Sequence, residues 1–214
     1  MNLKELYAES VSNKDEAISS YLNKRLFSTY NRIVQKITKR KLEGANIDLG
    51  SGDKGFSKYC ESIGITSYPY DYPDFDIEKD TLPHENNSID FVTMNAVIEH
   101  IKDPSNILSE SYRVLKKSGF IFIRTPNWKM DWKNFYNDPT HVKPYSPETL
   151  KNILELFGFK VIFLEPGLIE KSWFWWKLPD LFKWKIVSML KGGTKSIIAV
   201  GEKSYEKKVF SLRQ

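Results

Sequence analysis

The order of apolar and amphipathic segments predicts an α/β protein built on a doubly wound sheet. Three observations carry this expectation. Short apolar runs of strand type alternate with segments of helical period. The run Ile47-Asp48-Leu49-Gly50-Ser51-Gly52-Asp53-Lys54-Gly55 joins an apolar strand end to an amphipathic segment through a glycine turn. Two later helices open with a cap residue followed by proline, at Asp103-Pro104 and Ser146-Pro147.

The elements follow in chain order. Residues 1–44 read as one or two helices, with Leu22, Leu26, Tyr30, Ile33, Val34 and Ile37 forming an apolar stripe that ends before Gly44. The first strand runs into the glycine turn. The next helix carries Phe56, Tyr59, Cys60 and Ile63 at helical spacing and stops at Gly64. Residues 65–70 form a second strand ending at Asp71; it contains Pro69, which cannot donate to a ladder and is unusual in an interior strand. A third strand is expected at residues 75–78 and a fourth at 89–94. The helix opened by Asp103-Pro104 turns Ile107, Leu108, Tyr112 and Leu115 inward, and residues 120–124 form a fifth strand. Leu150, Ile153, Leu154 and Phe157 give the buried face of the next helix, which Gly158 stops. Residues 159–164 and 196–201 are the last two strands. The expected organisation is an N-terminal helical segment (1–44), one α/β domain (45–203) that includes an aromatic-rich insertion (167–191), and a C-terminal tail (204–214).

A chain of 214 residues and 25.0 kDa can bury a substantial core within one domain. The single cysteine, Cys60, excludes an internal disulfide framework and reads as a small apolar residue on a buried helix face. No signal segment or membrane-length apolar run is visible, so a cytoplasmic protein is expected. Charge is unevenly placed: residues 45–166 carry a net −5, whereas residues 1–44 carry +4 and residues 167–214 carry +6. An acidic centre suits a cationic cofactor, and basic flanks suit an anionic substrate or surface.

Two cofactors compete for the glycine turn. Gly50-Ser51-Gly52-Asp53-Lys54-Gly55 matches G-x-G-x-x-G, the dinucleotide fingerprint, with Asp71 near the distance expected of a ribose-binding acid. A diphosphate would however meet Asp48 and Asp53 at the turn, where both acids repel it. S-adenosylmethionine has no phosphate, and its ammonium complements Asp48. The acid tips the choice toward S-adenosylmethionine.

Asp48-Leu49-Gly50-Ser51-Gly52, then Leu82-Pro83 with Ser88-Ile89-Asp90-Phe91-Val92, then Val97-Ile98-Glu99-His100, then Arg113-Val114-Leu115-Lys116-Lys117-Ser118-Gly119 together resemble the class I S-adenosylmethionine-dependent methyltransferases. The further run Thr125-Pro126-Asn127, Asp138-Pro139-Thr140-His141 and Tyr145-Ser146 resembles a branch found in surface-polysaccharide biosynthesis. The resemblance implies a Rossmann-like, seven-stranded sheet with helices on both faces and an antiparallel last strand. It also implies that Asp48, Gly50, Ser51 and Gly52 lie under the methionine end of the cofactor. Asp71 would hold the ribose hydroxyls, Asp76 or Glu78 would sit near the adenine edge, and Asn95 would face the methionine portion. Lys54 stands where the family usually has a third glycine.

Methyl transfer to oxygen needs an aligned acceptor and a base for its proton. Of the three histidines, His84 lies in a polar turn. His100 belongs to the pair after the fourth strand, near the methyl end in the family. His141 sits in a long irregular segment, residues 126–145, and is the favoured general base or substrate ligand. Trp128, Trp132, Phe135 and Tyr136 in that segment offer stacking faces for a sugar, with Asn127, Asn134 and Asp138 to bond hydroxyls. No cluster of histidines and carboxylates with ligand spacing is visible, so no metal is expected. The partners expected are a small-molecule or glycan acceptor and, through residues 173–184, a membrane surface or a second copy of the chain. Nucleic acid is disfavoured. The reading is O-methylation of a sugar or surface-glycan precursor, with methylation of a quinone or other small metabolite, or a catalytically silent cofactor-binding partner, as rivals.

Overall fold

The computed structural model describes residues 16–166 and 195–204. The aromatic insertion and the tail expected from the sequence lie outside these residues, apart from the tail's first residue, Ser204. The chain opens with helix α1 (Glu16–Thr38). Strand β1 (Ala45–Leu49), helix α2 (Gly55–Ser62) and strand β2 (Thr66–Tyr70) follow. Next come β3 (Ile89–Asn95), α3 (Ser105–Val114) and β4 (Leu115–Pro126). A short helix α4 (Trp128–Asp131), helix α5 (Pro147–Leu156) and strands β5 (Phe159–Pro166) and β6 (Ser196–Lys203) complete the order.

Six strands form one sheet in the order β2-β1-β3-β4-β6-β5. β2, β1, β3 and β4 pair in parallel, and β6 runs antiparallel to both β4 and β5. The final antiparallel strand is therefore present, but the seventh strand expected at residues 75–78 is not. Asp76 holds that segment in turns: its carbonyl accepts from the Lys79 and Asp80 N–H groups, and its own N–H donates to the Asp80 carboxylate at 2.7 Å. A segment whose backbone is spent on local acidic turns has none left for a ladder.

The central strands alternate sides with a period of two, which places a core on each face. Ile121, Ile123, Ile197 and Ala199 face one cluster with Ile107 and Leu108 of α3 and Leu150 and Leu154 of α5. Phe120, Phe122, Ile198 and Val200 face the other, with Phe27, Tyr30 and Val34 of α1 and Phe56 and Cys60 of α2. The apolar stripe of α1 is thus half right: Tyr30, Ile33 and Val34 are buried, whereas Leu22 and Ile37 are exposed.

Pro69 finds its explanation in the topology. Among the described residues β2 is an edge strand, so a residue without an N–H fits there. Ser146 caps α5 as expected, its hydroxyl accepting from Thr149 N–H at 3.2 Å. Asp103 Oδ1 receives the Ser105 N–H at the start of α3.

Candidate active site

β1 delivers Asp48 to the C-terminal edge of the sheet, the edge at which open α/β sheets bind ligands. Its carboxylate is almost wholly buried and accepts from the Thr93 hydroxyl of β3 at 2.9 Å and the Ser57 hydroxyl of α2 at 3.2 Å. Burial pushes this carboxyl up to about 7 despite those two bonds, and the nearby Asp71 and Asp53 charges add to the rise. A buried carboxylate held by only two hydroxyls gains strongly from a cation.

The turn after β1 needs its glycines. Gly50 has φ +67°, and a Cβ there would meet Val97 Cγ2 at 2.3 Å. Gly52 has φ +52°. Lys54 has φ +58°, so the lysine adopts the left-handed conformation that a glycine would otherwise supply, and the turn keeps its shape. Gly50 and Ser51 donate their N–H groups to the Tyr70 carbonyl, and Gly52 N–H donates to Asp71 Oδ2 at 2.6 Å. Asp71 Oδ1 also receives the Tyr72 N–H. The acid at the end of β2 is thereby locked against the turn.

A cleft of about 490 Å³ opens beside this turn, within the usual range for small-molecule sites. Asp48, Gly50 and Asn95 line it, α1 contributes Leu22 and Leu26, and Arg124 comes from β4. The Asn95 side-chain oxygen accepts from the Tyr30 hydroxyl at 2.5 Å, which ties α1 to the tip of β3. Ser19 of α1 donates to Asp53 at 2.7 Å. The N-terminal helix is part of the cleft wall, which the sequence alone did not reveal.

Asp76 and Glu78 lie on the loop after β2 with their carboxylates engaged locally. Asp76 pairs with Lys79 at 2.8 Å and caps Glu78 N–H, while Glu78 receives the Lys102 and Asp103 N–H groups.

A second group of side chains gathers at the tips of β3 and β4. Glu99 is fully buried in the turn after β3; its Oε2 accepts from the Thr125 hydroxyl at 2.9 Å, and its Oε1 has no hydrogen-bond partner among the described residues. Burial pushes the Glu99 carboxyl up to about 7, against the hydrogen bonds and the Arg124 charge that lower it. The Glu99 carbonyl receives the Val142 and Lys143 N–H groups, which pins the 126–145 segment over the turn. His141 is thereby brought to His100, with ring centroids 4.7 Å apart. One donor atom from each of Glu99, His100 and His141 lies within 4.8 Å of the others. No local spacing signals this cluster, because about 40 residues separate its parts. Glu99 was visible only as a neighbour of His100.

The hydrogen bonds assign both imidazoles. His141 Nδ1 can only donate to the Phe135 carbonyl at 2.6 Å. The Thr140 hydroxyl donates to Asp138 Oδ1 at 2.5 Å, so His100 Nδ1 donates to that hydroxyl oxygen at 2.8 Å. In each neutral ring Nε2 then carries the lone pair. Asp138 stays ionised: burial would raise it, but the Thr140 bonds and both imidazoles outweigh burial and hold it below its ordinary value.

Around the cluster, Phe135 is buried and packs edge-on against Trp128 and Tyr136, while Trp132 and Tyr136 remain exposed. Asn127 is not free to meet a ligand: it is buried, and its side-chain oxygen caps α4 at Lys129 N–H. His84 is likewise not a solvated turn residue, since it packs on Tyr68 and bonds the Tyr70 hydroxyl at 2.9 Å.

The family described as Methyltransferase domain matches residues 19–164. A Mycolicibacterium smegmatis protein named "Probable S-adenosylmethionine-dependent methyltransferase" is 32% identical over 109 residues, 46% of this chain and 42% of that protein. The chain thus spans less than half the length of this curated relative. Among solved structures, a SAM-dependent methyltransferase from Archaeoglobus fulgidus superposes with a TM-score of 0.63 at 23% identity, covering 94% of this chain and 100% of that one. Phosphoethanolamine N-methyltransferase 2 of Haemonchus contortus, in complex with S-adenosylmethionine, gives 0.56 at 18% identity over 83% of this chain and 52% of that one. Matched by that family's model over residues 19–164, the chain belongs to the methyltransferase-domain family and uses S-adenosylmethionine.

Proposed function

We propose that the protein transfers the methyl group of S-adenosylmethionine to an oxygen of a sugar or surface-glycan precursor. The observation that carries this reading is the pair of imidazoles whose Nδ1 atoms are engaged behind them, on and beside the segment that exposes Trp132 and Tyr136. A sugar hydroxyl needs a base, and its ring needs a flat apolar face.

In this reading Asp48 receives the ammonium of the donor, directly or through water, and Asp71 receives the ribose hydroxyls in place of one of its backbone bonds. Gly50, Ser51 and Gly52 let the donor lie against bare backbone. Asn95 faces the methionine portion. Asp76 and Glu78 serve the adenine side by shaping the loop after β2. The sulfonium supplies the electrophile, and the protein aligns the acceptor oxygen and takes its proton at His141 Nε2, with His100 alongside.

The test is release of S-adenosylhomocysteine on incubation with nucleotide sugars, lipid-linked glycans and quinones as separate pools, with mass-spectrometric detection of the added methylene. Turnover on a sugar pool that falls about 10²–10⁴-fold in His141→Ala, with cofactor affinity kept, supports the assignment. Turnover confined to quinones redirects it to the small-metabolite reading. Cofactor binding without turnover on any pool leaves the silent-partner reading. Flotation with anionic vesicles and sedimentation, each on the full chain, test the membrane and homodimer expectations for residues 173–184.

A further inference from the structure

We infer that Glu99, His100 and His141 form a binding site for one divalent first-row transition-metal ion of the zinc or ferrous class, with Asp138 at its margin. The sequence pointed away from a metal; the fold assembles what the spacing conceals.

Four features support it. The donor set is two imidazoles and one carboxylate, a combination suited to intermediate ions rather than to magnesium or calcium, which take oxygen. Each imidazole is oriented from behind by its Nδ1–H, one on a backbone carbonyl and one on a hydroxyl that is itself bonded to a carboxylate. Histidines that ligate metals are held in this manner, so that the other nitrogen points its lone pair at the ion. Glu99 Oε1 is completely buried and lacks a hydrogen-bond partner among the described residues, which is costly for a carboxylate oxygen unless something positive occupies the space beside it. Finally, Asp138 Oδ2 lies 3.8 Å from His141 Nε2, so two carboxylates and two imidazoles share this end of the sheet, a set that a dication complements.

Metal bonds of about 2.0–2.2 Å place ligand atoms roughly 3–3.5 Å apart in tetrahedral or octahedral geometry. The donors here lie within 4.8 Å of one another, so small side-chain rotations close the site around an ion. His100 and His141 are only partly covered, which leaves a coordination position open to water or to an acceptor oxygen. This modifies the proposed O-methylation: with the ion bound, His141 Nε2 is a ligand rather than the base, and a hydroxyl on the ion, made more acidic by it, gives its proton to solvent water. That consequence rests on the acceptor reaching this edge of the sheet; the metal site itself does not.

The experiment therefore omits donor and acceptor. Full-length protein stripped with chelator is titrated with Co²⁺ and followed by visible absorption, then challenged with Zn²⁺ and, separately, Mg²⁺. Expected are one equivalent of bound Co²⁺ with ligand-field bands, displacement by Zn²⁺ and no displacement by Mg²⁺. Glu99→Gln and His141→Ala should each abolish the bands, and Thr140→Val, which removes no ligand but takes away the hydroxyl that supports His100 and bonds Asp138, should weaken binding about 10–100-fold. S-adenosylhomocysteine binding by each variant shows whether the cofactor cleft is intact, and Thr140→Val keeps the test decisive if a ligand variant fails to fold. Absence of stoichiometric Co²⁺ or Zn²⁺, or binding equal in all three variants, overturns the site. Stoichiometric metal without methyl transfer to any sugar would retain the site and refute the acceptor reading instead.

Discussion

Replacing Asp48 by asparagine should make the protein more stable and a worse binder of its donor. In the folded chain burial lifts this carboxyl from 3.8 to about 7. The native state therefore holds the proton more tightly than the unfolded state between those values, so stability falls as pH rises through that window and is level above it. Three units correspond to about 4 kcal/mol. With water entering the cleft and relaxing the field, about half of that survives, so Asp48→Asn should gain about 2 kcal/mol at pH 8. For a chain of this size that is a rise of about 4–8 °C in Tm, shrinking toward zero near pH 4. The Thr93 and Ser57 hydroxyls can bond an amide in the same pocket, so the shape is preserved. Calorimetric melting of the ligand-free protein at pH 4.5 and pH 8 measures the first effect. Titration with S-adenosylmethionine measures the second, an affinity loss of roughly 10–100-fold from the missing charge-assisted bond. A variant that melts at or below the wild type at pH 8 would refute the burial argument, and unchanged affinity would remove Asp48 from the donor's ammonium.

Other outcomes follow from the same geometry. Lys54→Gly relieves a left-handed backbone at the entry to α2 and should stabilise the protein by up to about 1 kcal/mol in chemical denaturation; a loss would mean that the lysine side chain supports the turn. Gly50→Ala drives a methyl into Val97 and should cost about 1–3 kcal/mol while abolishing donor binding. Adding Val97→Ala should recover only part of the stability, because the positive φ at residue 50 persists; full recovery would show that crowding alone required the glycine. Cys60 is buried, and burial pushes its thiol up to about 12, so it should resist thiol reagents at pH 8 until denaturant is added. Fast labelling of the native protein would contradict its placement in the core.

What could be read from the residues was mostly what depends on local order. The glycine turn, the two cap-plus-proline helices and the period-two strands are written in contiguous residues, and the structure has them. The segment at 75–78 misled because apolar residues among aspartates satisfy a strand pattern, whereas the aspartates fold their own backbone into turns. Pro69 looked anomalous only while its strand was assumed to be interior; strand order is a tertiary fact. The supports of Asp48 were invisible for a similar reason: Thr93 is an ordinary strand residue until the register sets it beside β1. The joining of Glu99 to His141 depends on two backbone bonds that hold a distant loop over the turn, and no spacing rule reports such bonds.

The proline on β2 carries one more consequence. Thr66 donates toward β1 and the Tyr70 carbonyl accepts from the turn after it, so by alternation the nitrogen of residue 69 looks outward from the sheet. This margin, unpaired on its outer side among the described residues, is therefore missing a donor within its length, and a foreign strand arriving there cannot complete a continuous ladder. A single imino acid gives this flank a built-in resistance to edgewise self-association.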